Sequence, residues 1–331
     1  MELTTWTQPD PGVVPPRVGD LLRSLPGPTA IEIPGEDRSR CRVLVTLSHG
    51  NEPSGLEALH RWLRSGRVPA VDLLFVLGSV EAARAEPMFY FRMLPGQRDL
   101  NRCFNPPYVG PSGELAAAML ERIHAAKPEA VIDLHNTSGS NPAFSVTIGD
   151  SPQLRALSSL FAAQMIVTDL RLGSLMEQDF GCPIVTIEAG GSQDDAAAGV
   201  CDAGFERFFH RADVFADPGE VTLLEHPYRL ELQPHARIDF AEHALPGRDL
   251  TMRSDIERFN FAPVPPSEPL GWAEGLSCLR ASTGRDTRDA REFFRVEDGR
   301  IYTRGVLRLF MATTRADIAA SDCLFYFVRE D

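Results

Sequence analysis

The sequence predicts an α/β fold with a mixed, mostly parallel central sheet flanked by helices, followed by a smaller C-terminal β domain. Two observations carry this prediction. Between residues 42 and 209, short apolar runs typical of buried strands alternate with longer helical segments, an order that favours parallel strands. After Gly219 the chain changes to short strand-like segments separated by turn residues, which is typical of a small β domain.

The individual elements follow from apolar periodicity and from helix-start signals. The first forty residues are rich in proline and glycine and contain one short helical candidate at 18–25, so we expect an irregular cover there. Strands are predicted at 43–47, 71–77, 130–134, 144–148 and 184–188, and helices at 54–65, 113–126, 152–163 and 194–209. Further strands are predicted at 228–232, 236–240, 249–252 and 301–302.

Composition excludes several classes of function. The 331 residues can bury a full core, and the net charge of −13 disfavours a nucleic-acid partner or an anionic membrane surface. The six cysteines are widely spaced and form no Cys-x-x-Cys pair, so neither a disulfide framework nor a thiolate metal site is indicated. No signal peptide and no apolar stretch of about 20 residues is apparent, so we expect a cytoplasmic protein without a membrane partner.

Two histidines and a glutamate are placed to bind a metal. His49 and Glu52 follow the predicted strand at 43–47, and His135 follows the apolar run at 131–134. Ligand sites of open α/β sheets form beyond the carboxyl ends of strands, so these side chains are expected to converge. Catalytic zinc commonly takes two imidazoles and one carboxylate and leaves a position for water, whose pKa falls towards roughly 7. We therefore predict one Zn²⁺ per chain, bound by these three residues.

Four short motifs stand in a fixed order along the chain. They are His-Gly-Asn-Glu at 49–52, Asp-Leu-Asn-Arg-x-Phe at 99–104, Asp-Leu-His-Asn-Thr at 133–137 and Thr-Ile-Glu at 186–188. Together they resemble the succinylglutamate desuccinylase/aspartoacylase family, a branch of the zinc carboxypeptidase-like superfamily, over about residues 40–200. The resemblance implies a zinc carboxypeptidase-like fold and a zinc-dependent hydrolase that cleaves a linear amide C–N bond.

The resemblance also implies the residues that perform catalysis. Glu188 resembles the glutamate that acts as general base and acid, and it follows a strand-like run in which a carboxylate is costly to bury without a purpose. A buried salt bridge is the alternative for Glu188. Arg92 resembles the arginine that polarises the scissile carbonyl, although the long spacer before Asp99 makes Arg98 a competitor or a plain surface charge. Asp133 orients a histidine ligand or pairs with an arginine, and the alternative is a strand-end acid that caps the following loop.

Substrate-binding residues are implied in the same way. Asn101 and Arg102 match the pair with which family members bind the carboxylate of an amino acid, and a guanidinium beside an amide suits that group. Tyr302 matches a tyrosine that reaches the pocket from the C-terminal domain, and an ordinary half-buried strand tyrosine is the alternative. The acidic segment 176–179 stands where aspartoacylase-like enzymes place an arginine, so a substrate without a second carboxylate is expected. The alternatives are that Arg171 takes the place of that arginine, and that Glu177 and Asp179 are ordinary exposed loop acids.

These residues together predict a zinc-dependent amidohydrolase that removes the acyl group of an N-acyl amino acid or a similar small amide. The alternatives are a zinc carboxypeptidase acting on short peptides and a non-catalytic metal-binding protein on the same scaffold. The change of composition around Asp217-Pro218-Gly219 predicts a zinc hydrolase catalytic domain over 1–215 and a small β-rich domain covering the active site over 216–331. The sequence leaves open whether the chain forms a homo-oligomer.

Overall fold

The computed structural model describes residues 3–217, 219–284, 286–321 and 323–330, and of Ser321 the backbone only. The chain divides into two compact units. Unit 1 comprises Met1–Asn136, Ala143–Met165 and Arg171–Leu223, and unit 2 comprises Thr137–Pro142, Ile166–Leu170 and Leu224–Asp331. Pro218, part of the turn behind the predicted boundary at residue 216, lies outside the described residues, and that boundary stays a prediction.

A large mixed sheet forms the centre of unit 1. In chain order its strands are β1 (Thr4–Thr7), β2 (Thr29–Ile33), β3 (Asp37–Thr46), β4 (Val71–Leu77), β5 (Ala130–Thr137), β6 (Phe144–Thr147), β7 (Gln164–Val167), β8 (Ile184–Gly191) and β9 (Thr222–Glu225). Their spatial order is β1-β2-β4-β3-β5-β8-β6-β7-β9. Parallel pairings join β1 to β2 and β3 to both β4 and β5, and antiparallel pairings join β2 to β4 and β6 to β8. The predicted α/β fold with a mostly parallel sheet is confirmed.

Helices pack on both faces of this sheet. They are α1 (Val18–Ser24), α2 (Ser54–Ser65), α3 (Val80–Arg84), α4 (Gly110–Ala126), α5 (Pro152–Ser159) and α6 (Asp195–His210). Side chains of a strand alternate between faces, and β3 follows that rule: Leu44 belongs to the core on the side of α2 and α6, whereas Val43 and Val45 belong to the core on the side of α4. None of the helices in the described part of the chain is long and apolar enough to cross a membrane.

The prediction of an irregular N-terminal cover was wrong for two segments. Strand β1 pairs in parallel with β2, and β2 pairs with β4 along Thr29–Ile33. The apolar residues Ala30 and Ile31 of β2 are fully buried. Strands this short take their stability from the neighbouring strand rather than from their own pattern, which is why the surrounding prolines and glycines concealed them.

Unit 2 is built from small β-sheets, as the sequence predicts for the C-terminal part. Its strands are β10 (Tyr228–Leu232), β11 (Ile238–Ala241), β12 (Leu250–Arg253), β13 (Pro263–Val264), β14 (Gly271–Trp272), β15 (Leu279–Ser282), β16 (Thr287–Asp289), β17 (Phe294–Glu297), β18 (Arg300–Thr303), β19 (Leu307–Phe310) and β20 (Phe325–Arg329), with helix α7 (Ala316–Ser321). One sheet has the order β13-β19-β20-β10-β15-β16 and the other β11-β12-β14-β18-β17. Most pairings are antiparallel, and β11 and β12 pair in parallel.

Candidate metal centre and active site

The loop after β3 places His49 by tight backbone packing. Leu47 adopts a left-handed conformation with φ of 54°, a sparsely populated region for a residue with a side chain, and so turns the chain out of the strand. Gly50 is required at its position because a Cβ atom there would lie 2.5 Å from the backbone nitrogen of Ala83. The Gly50 N–H donates to the carbonyl of Arg92 at 2.9 Å. The loop is thereby joined to the segment that supplies the arginine.

Glu52 is placed by the start of α2, which is fastened to the sheet by a side chain distant in sequence. The Asn136 Oδ1 accepts a hydrogen bond from the Ser54 N–H at 3.1 Å, and the Asn136 Nδ2 donates to the carbonyl of Gly190 at 3.0 Å. Asn136 therefore caps α2 and connects it to β5 and β8, a role that local residues usually perform. Gly55 lets the helix approach β3, since a Cβ atom there would lie 2.2 Å from Thr46 Oγ1.

The two histidines and Glu52 form one buried cluster. The Nδ1 atoms of His49 and His135 lie 2.8 and 2.7 Å from the two carboxylate oxygens of Glu52. One ligand atom from each residue lies within 4.8 Å of the others, so the group could hold a metal ion. His135 lies within β5 (Ala130–Thr137) rather than in a loop after it, because the strand continues three residues past the predicted end at 134.

A second carboxylate contacts each histidine at the Nε2 atom, on the side of the ring away from Glu52. The Nε2 atom of His49 lies 2.9 Å from Asp99 Oδ1, and the Nε2 atom of His135 lies 3.0 Å from Asp133 Oδ2. An Nε2–H that donates to a carboxylate directs Nδ1 to the other side, where it would bind a metal ion through its lone pair once its own proton has been lost. Both rings therefore turn Nδ1 towards Glu52, and Asp133 contacts His135, as the first of its sequence interpretations expects.

Charge is concentrated in this cluster. Burial raises the pKa of Glu52, but the neighbouring His49 and His135 imidazoles have the larger, opposite effect and hold this pKa well below its usual value. Burial likewise raises the pKa of Asp99, and its hydrogen bond with His49 and the charge of Arg92 outweigh this and hold the pKa far below normal. For His135, burial lowers the pKa, but Asp133 and Glu52 raise it well above the usual value. Both acids are thus ionised at neutral pH.

The donor set fits a zinc ion. Two imidazole Nδ1 atoms and one carboxylate, all buried and facing one another, match the composition of catalytic zinc sites with three protein ligands. Carboxylate partners behind both imidazoles are also characteristic of such sites. No thiolate lies in the cluster, and the cysteines of the described residues are free thiols elsewhere in the chain.

Glu188 has the environment of a proton-transfer group. It lies inside β8 (Ile184–Gly191), opposite Phe144 of β6, and not at the end of its strand as the sequence suggests. Its Oε2 atom is buried and has no hydrogen-bond partner among the described residues. Burial raises the pKa of Glu188 to about 7, with the charges of His135 and Glu52 acting on it as well. A buried carboxylate oxygen without a partner is rare and typical of catalytic groups.

The structure places the two candidate arginines differently. The Arg92 guanidinium donates to Asp99 Oδ2 through Nη2 at 3.0 Å, and its Nη1 lies 3.5 Å from Glu52 Oε1. Arg98 is exposed, and the described contact of this residue is its backbone carbonyl, which accepts from the Ser112 hydroxyl. Arg92 therefore stands beside the candidate metal ligands, whereas no described contact brings Arg98 there.

Asn101 and Arg102 lie next to the cluster on a short 3₁₀ turn, Leu100–Arg102. Asn101 is buried, and its Nδ2 atom lies 3.4 Å from the Nε2 atom of His135. Its Oδ1 atom accepts a hydrogen bond from the Leu175 N–H at 3.0 Å. Arg102 is half-buried, and its Nη1 donates to the carbonyl of Asn101 at 2.9 Å. The amide group therefore has its oxygen engaged and its NH₂ group turned towards His135.

Tyr302 lies on β18 in unit 2 and is half-buried. The Arg295 guanidinium stands over its ring, 5.1 Å from the centroid. A cation over an aromatic face is a stabilising contact that a structural tyrosine also makes. The predicted contact of Tyr302 with substrate stays a prediction.

Two hydrogen-bonded arrangements in unit 1 were missed by the sequence prediction. One is the capping of α2 by Asn136, which no local sequence pattern predicts because Asn136 and Ser54 are 82 positions apart. The other is Glu177, which closes a capping box with Ser174. The spacing Ser-x-x-Glu is a known capping signature and was available in the sequence, but the segment was interpreted through its charge alone.

Comparison with known proteins identifies similar chains. Residues 42–194 match the model of the succinylglutamate desuccinylase/aspartoacylase catalytic domain. The solved succinylglutamate desuccinylase of Vibrio cholerae is 14% identical with a TM-score of 0.56, covering 87% of this chain and 98% of its own. The succinylglutamate desuccinylase/aspartoacylase of Rhodobacter sphaeroides is 15% identical with a TM-score of 0.55, covering 92% and 88%. Murine aminoacylase 3 is 15% identical with a TM-score of 0.53, covering 89% and 97%.

At these identities the structural likeness establishes the fold alone. The search of curated proteins found no match to this chain. The four sequence motifs at 49–52, 99–104, 133–137 and 186–188 all lie within the matched residues 42–194. The resemblance inferred from those motifs is confirmed.

Proposed function

We propose that the chain is a zinc-dependent deacylase of N-acyl amino acids or similar small amides, starting from the match of residues 42–194 to the catalytic domain of the succinylglutamate desuccinylase/aspartoacylase family. The observation that carries the proposal is the buried cluster of His49, Glu52 and His135 beside a partnerless carboxylate oxygen of Glu188. These are a metal-ligand set and a proton-transfer group, which metal-assisted hydrolysis of an amide needs together.

His49, Glu52 and His135 would hold the ion. A divalent ion held there supplies Lewis acidity for amide hydrolysis at neutral pH. Asp99 and Asp133 fix the rings of the two histidines, so the ligand atoms are oriented before any ion binds. Zinc is the favoured metal because two imidazoles and one carboxylate suit its preference for nitrogen ligands with a hard oxygen.

Glu188 would move the proton. Its raised pKa of about 7 means that the carboxylate accepts a proton readily near neutral pH and can return it in the same cycle. In the proposed reaction it takes a proton from the attacking water and gives it to the leaving amine of the amide. The partnerless Oε2 supports this role, since no protein group competes for the proton.

Two arginines and an asparagine would orient the substrate. Arg92 is held by Asp99 beside the ligands and would stabilise the negative charge that develops on the carbonyl oxygen. Asn101 presents donors rather than its acceptor, because its Oδ1 is already used by the Leu175 N–H. A donor pair formed by Asn101 and the Arg102 guanidinium suits the carboxylate of an acylated amino acid.

A deacylation screen tests the proposal. Zinc-loaded protein would be assayed on N-acetyl amino acids with acidic, neutral and basic side chains, alongside Glu188→Gln. We expect turnover of at least one substrate, and in the variant a kcat lower by at least ~10² with the metal retained, since positioned proton transfer contributes on that order. Turnover by Glu188→Gln at the normal rate would reassign the base. Cleavage of short peptides instead of acyl amino acids would favour the carboxypeptidase alternative.

A further inference from the structure

Residues 172–178, here named the Glu177 loop, are organised by a single carboxylate. The Glu177 Oε1 atom accepts hydrogen bonds from the Leu172 N–H at 2.7 Å, the Ser174 N–H at 3.0 Å and the Ser174 hydroxyl at 2.8 Å. The Oε2 atom accepts from the Gly173 N–H at 3.2 Å. Oε2 also lies 3.5 Å from the Asn105 Nδ2 atom, so both carboxylate oxygens are occupied by protein groups and the side chain has a structural role in the loop.

The ionised form of Glu177 is the one that performs this task. Burial raises the pKa of the carboxyl, but hydrogen bonds from the backbone of Ser174, Leu172 and Gly173 lower it to below its usual value. Three N–H groups that point at one carboxylate would otherwise lack an acceptor within this tight loop. Such groups cost free energy when left unpaired, so loss of the carboxylate is expected to let the loop rearrange.

The Glu177 loop is docked on the turn that carries Asn101. The carbonyl of Gly173 accepts from the Phe104 N–H at 3.0 Å. Gly173 has φ of 81°, and a Cβ atom there would lie 2.9 Å from the Arg102 carbonyl oxygen, so the two backbones are in close contact. Leu175 is fully buried in the same core as Leu100. The position of the loop is thus set by backbone contact and apolar packing against this turn.

One hydrogen bond connects the Glu177 loop to Asn101. The Leu175 N–H donates to Asn101 Oδ1, which fixes the orientation of the amide and leaves Nδ2 facing His135. If the Asn101 amide were rotated by 180°, its NH₂ group would face the Leu175 N–H, and two donors would meet. We propose that Glu177 is a positioning residue for the substrate-carboxylate site, acting through the Leu175 N–H to hold the side chain of Asn101 in one orientation.

This inference rests on the proposed function for the role of Asn101, and it makes a different prediction from a charge effect. If Glu177 acts through its hydrogen bonds, glutamine should replace it in part, because its amide oxygen can take over the three bonds of Oε1 and within the loop only the bond from the Gly173 N–H is lost. If Glu177 acts through its charge, glutamine should change the preference between acidic and basic substrates as strongly as alanine does.

The kinetic test uses the zinc-loaded full chain and the best substrate of the N-acetyl amino acid panel. Glu177→Ala should raise KM about tenfold, the effect expected for loss of one well-placed hydrogen bond, with kcat changed far less. Glu177→Gln should lie closer to the wild type in KM than Glu177→Ala does, because within the loop it loses only the bond from the Gly173 N–H, and its side-chain preference should be that of the wild type. Asp179→Ala is the matched control, because Asp179 is an exposed acid of the same segment whose described bond is to the Gly181 N–H.

A double-mutant cycle locates the effect. In an Asn101→Ala background, Glu177→Ala should add less than about twofold to KM, because the group that it positions is already gone. An unchanged KM in Glu177→Ala, full additivity in the cycle, or an equal defect in Glu177→Gln with altered charge preference would overturn the proposal. Zinc content, measured by elemental analysis, should be equal in all variants.

A readout without turnover separates this inference from the proposed function. Hydrogen exchange measured by mass spectrometry on a peptide covering the Glu177 loop should be faster in Glu177→Ala and in Asn101→Ala than in the wild type, and unchanged in Asp179→Ala. If no N-acetyl amino acid is cleaved, the proposed function fails while this coupling is still measured. Unchanged exchange in Glu177→Ala would overturn the positioning role even in an active enzyme.

Discussion

Glu188 carries a stability cost that should be visible in its pH dependence. Its folded-state pKa is raised to about 7 by burial, whereas an unfolded glutamate titrates near its usual 4.5. Protonation of such a group stabilises the folded state relative to the unfolded state. This contribution is complete below the unfolded pKa and is lost as pH rises through the folded pKa. The charged side chain therefore makes the folded protein less stable above pH 7 than a neutral isostere would.

We predict that Glu188→Gln is more stable than the wild type at pH 8, by up to roughly 3 kcal/mol, since one pKa unit corresponds to about 1.36 kcal/mol. The difference should shrink between pH 7 and 4.5. Denaturant unfolding with chelator present measures it. The control Glu121→Gln removes an exposed acid of α4 and should show no such window. If Glu188→Gln has the same pH dependence of stability as the wild type, Glu188 is not desolvated.

Arg102 and Arg98 offer a matched test of substrate binding. Arg102 is half-buried and donates to the carbonyl of Asn101, whereas Arg98 is exposed. Arg102→Ala should raise KM for an N-acyl amino acid by roughly 10- to 100-fold, the loss expected for a hydrogen bond to a charged group, with a small change in kcat. Arg98→Ala removes the same charge nearby and should leave KM close to normal. The reverse ranking would transfer the carboxylate contact to Arg98.

At the scale of elements, Arg42 connects β3 to the end of α6. Its side chain is fully buried, and its Nε donates to Glu129 Oε1 at 2.6 Å. The Nη1 atom donates to the carbonyls of Phe208 and Arg211, at 2.6 and 2.8 Å. Carbonyls at the C-terminal end of a helix lack partners within the helix, and a cation there is favoured by the helix dipole. One guanidinium thus closes α6 and fixes it against the sheet.

Arg42→Met should lower the free energy of unfolding by about 3 kcal/mol or more, because it leaves buried carbonyls and a carboxylate without their partner. Denaturant unfolding would measure the loss. Arg40→Met is the control: Arg40 approaches the same Glu129 at 3.4 Å, but its side chain is 37% exposed, so its loss should cost less than about 1 kcal/mol. Equal costs for the two variants would refute the capping role of Arg42.

The elements that the sequence predicted best are those with strong local signals. Helix α2 and strand β4 were predicted with their observed bounds, since α2 stops at Gly66, a residue with φ of 66°, and β4 is a continuous apolar run. Strand β2 was missed because its five residues pair with residues of β4 that lie 40 to 48 positions further on. Local pattern carries information about an element that is stable by its own composition, and little about one that depends on a distant partner.

The same distinction applies to the site. The ligand triad could be predicted because zinc chemistry restricts the residue types of its ligands, and because ligand sites of α/β sheets form near the carboxyl ends of strands. The contact of Leu175 with Asn101 spans 74 positions and involves a backbone N–H, which any residue type except proline supplies. The residue type at position 175 therefore does not predict that hydrogen bond. The same holds for Asn136: its motif indicates a family resemblance, but it does not predict that Asn136 caps α2.

At the scale of the whole molecule, the candidate ligands come from segments that lie far apart in the sequence and meet only in the folded unit 1. His49 and Glu52 follow β3, and His135 lies in β5, more than 80 positions later. An unfolded chain does not bring these groups together, so an ion that binds the cluster stabilises the folded state by mass action. Metal binding and the stability of unit 1 are therefore coupled.

We predict that removing metal with a chelator lowers the Tm of the wild-type protein by on the order of 5–10 °C, given about 4 kcal/mol of stabilisation at a metal concentration a thousand times the Kd. Zinc added back should restore the Tm. His49→Ala should lack the chelator effect because one ligand is lost, and Glu188→Gln should keep it. His243→Ala, which removes an exposed histidine of unit 2, should respond like the wild type. A chelator-independent Tm in the wild type, with no zinc found by elemental analysis, would exclude tight metal binding by this cluster.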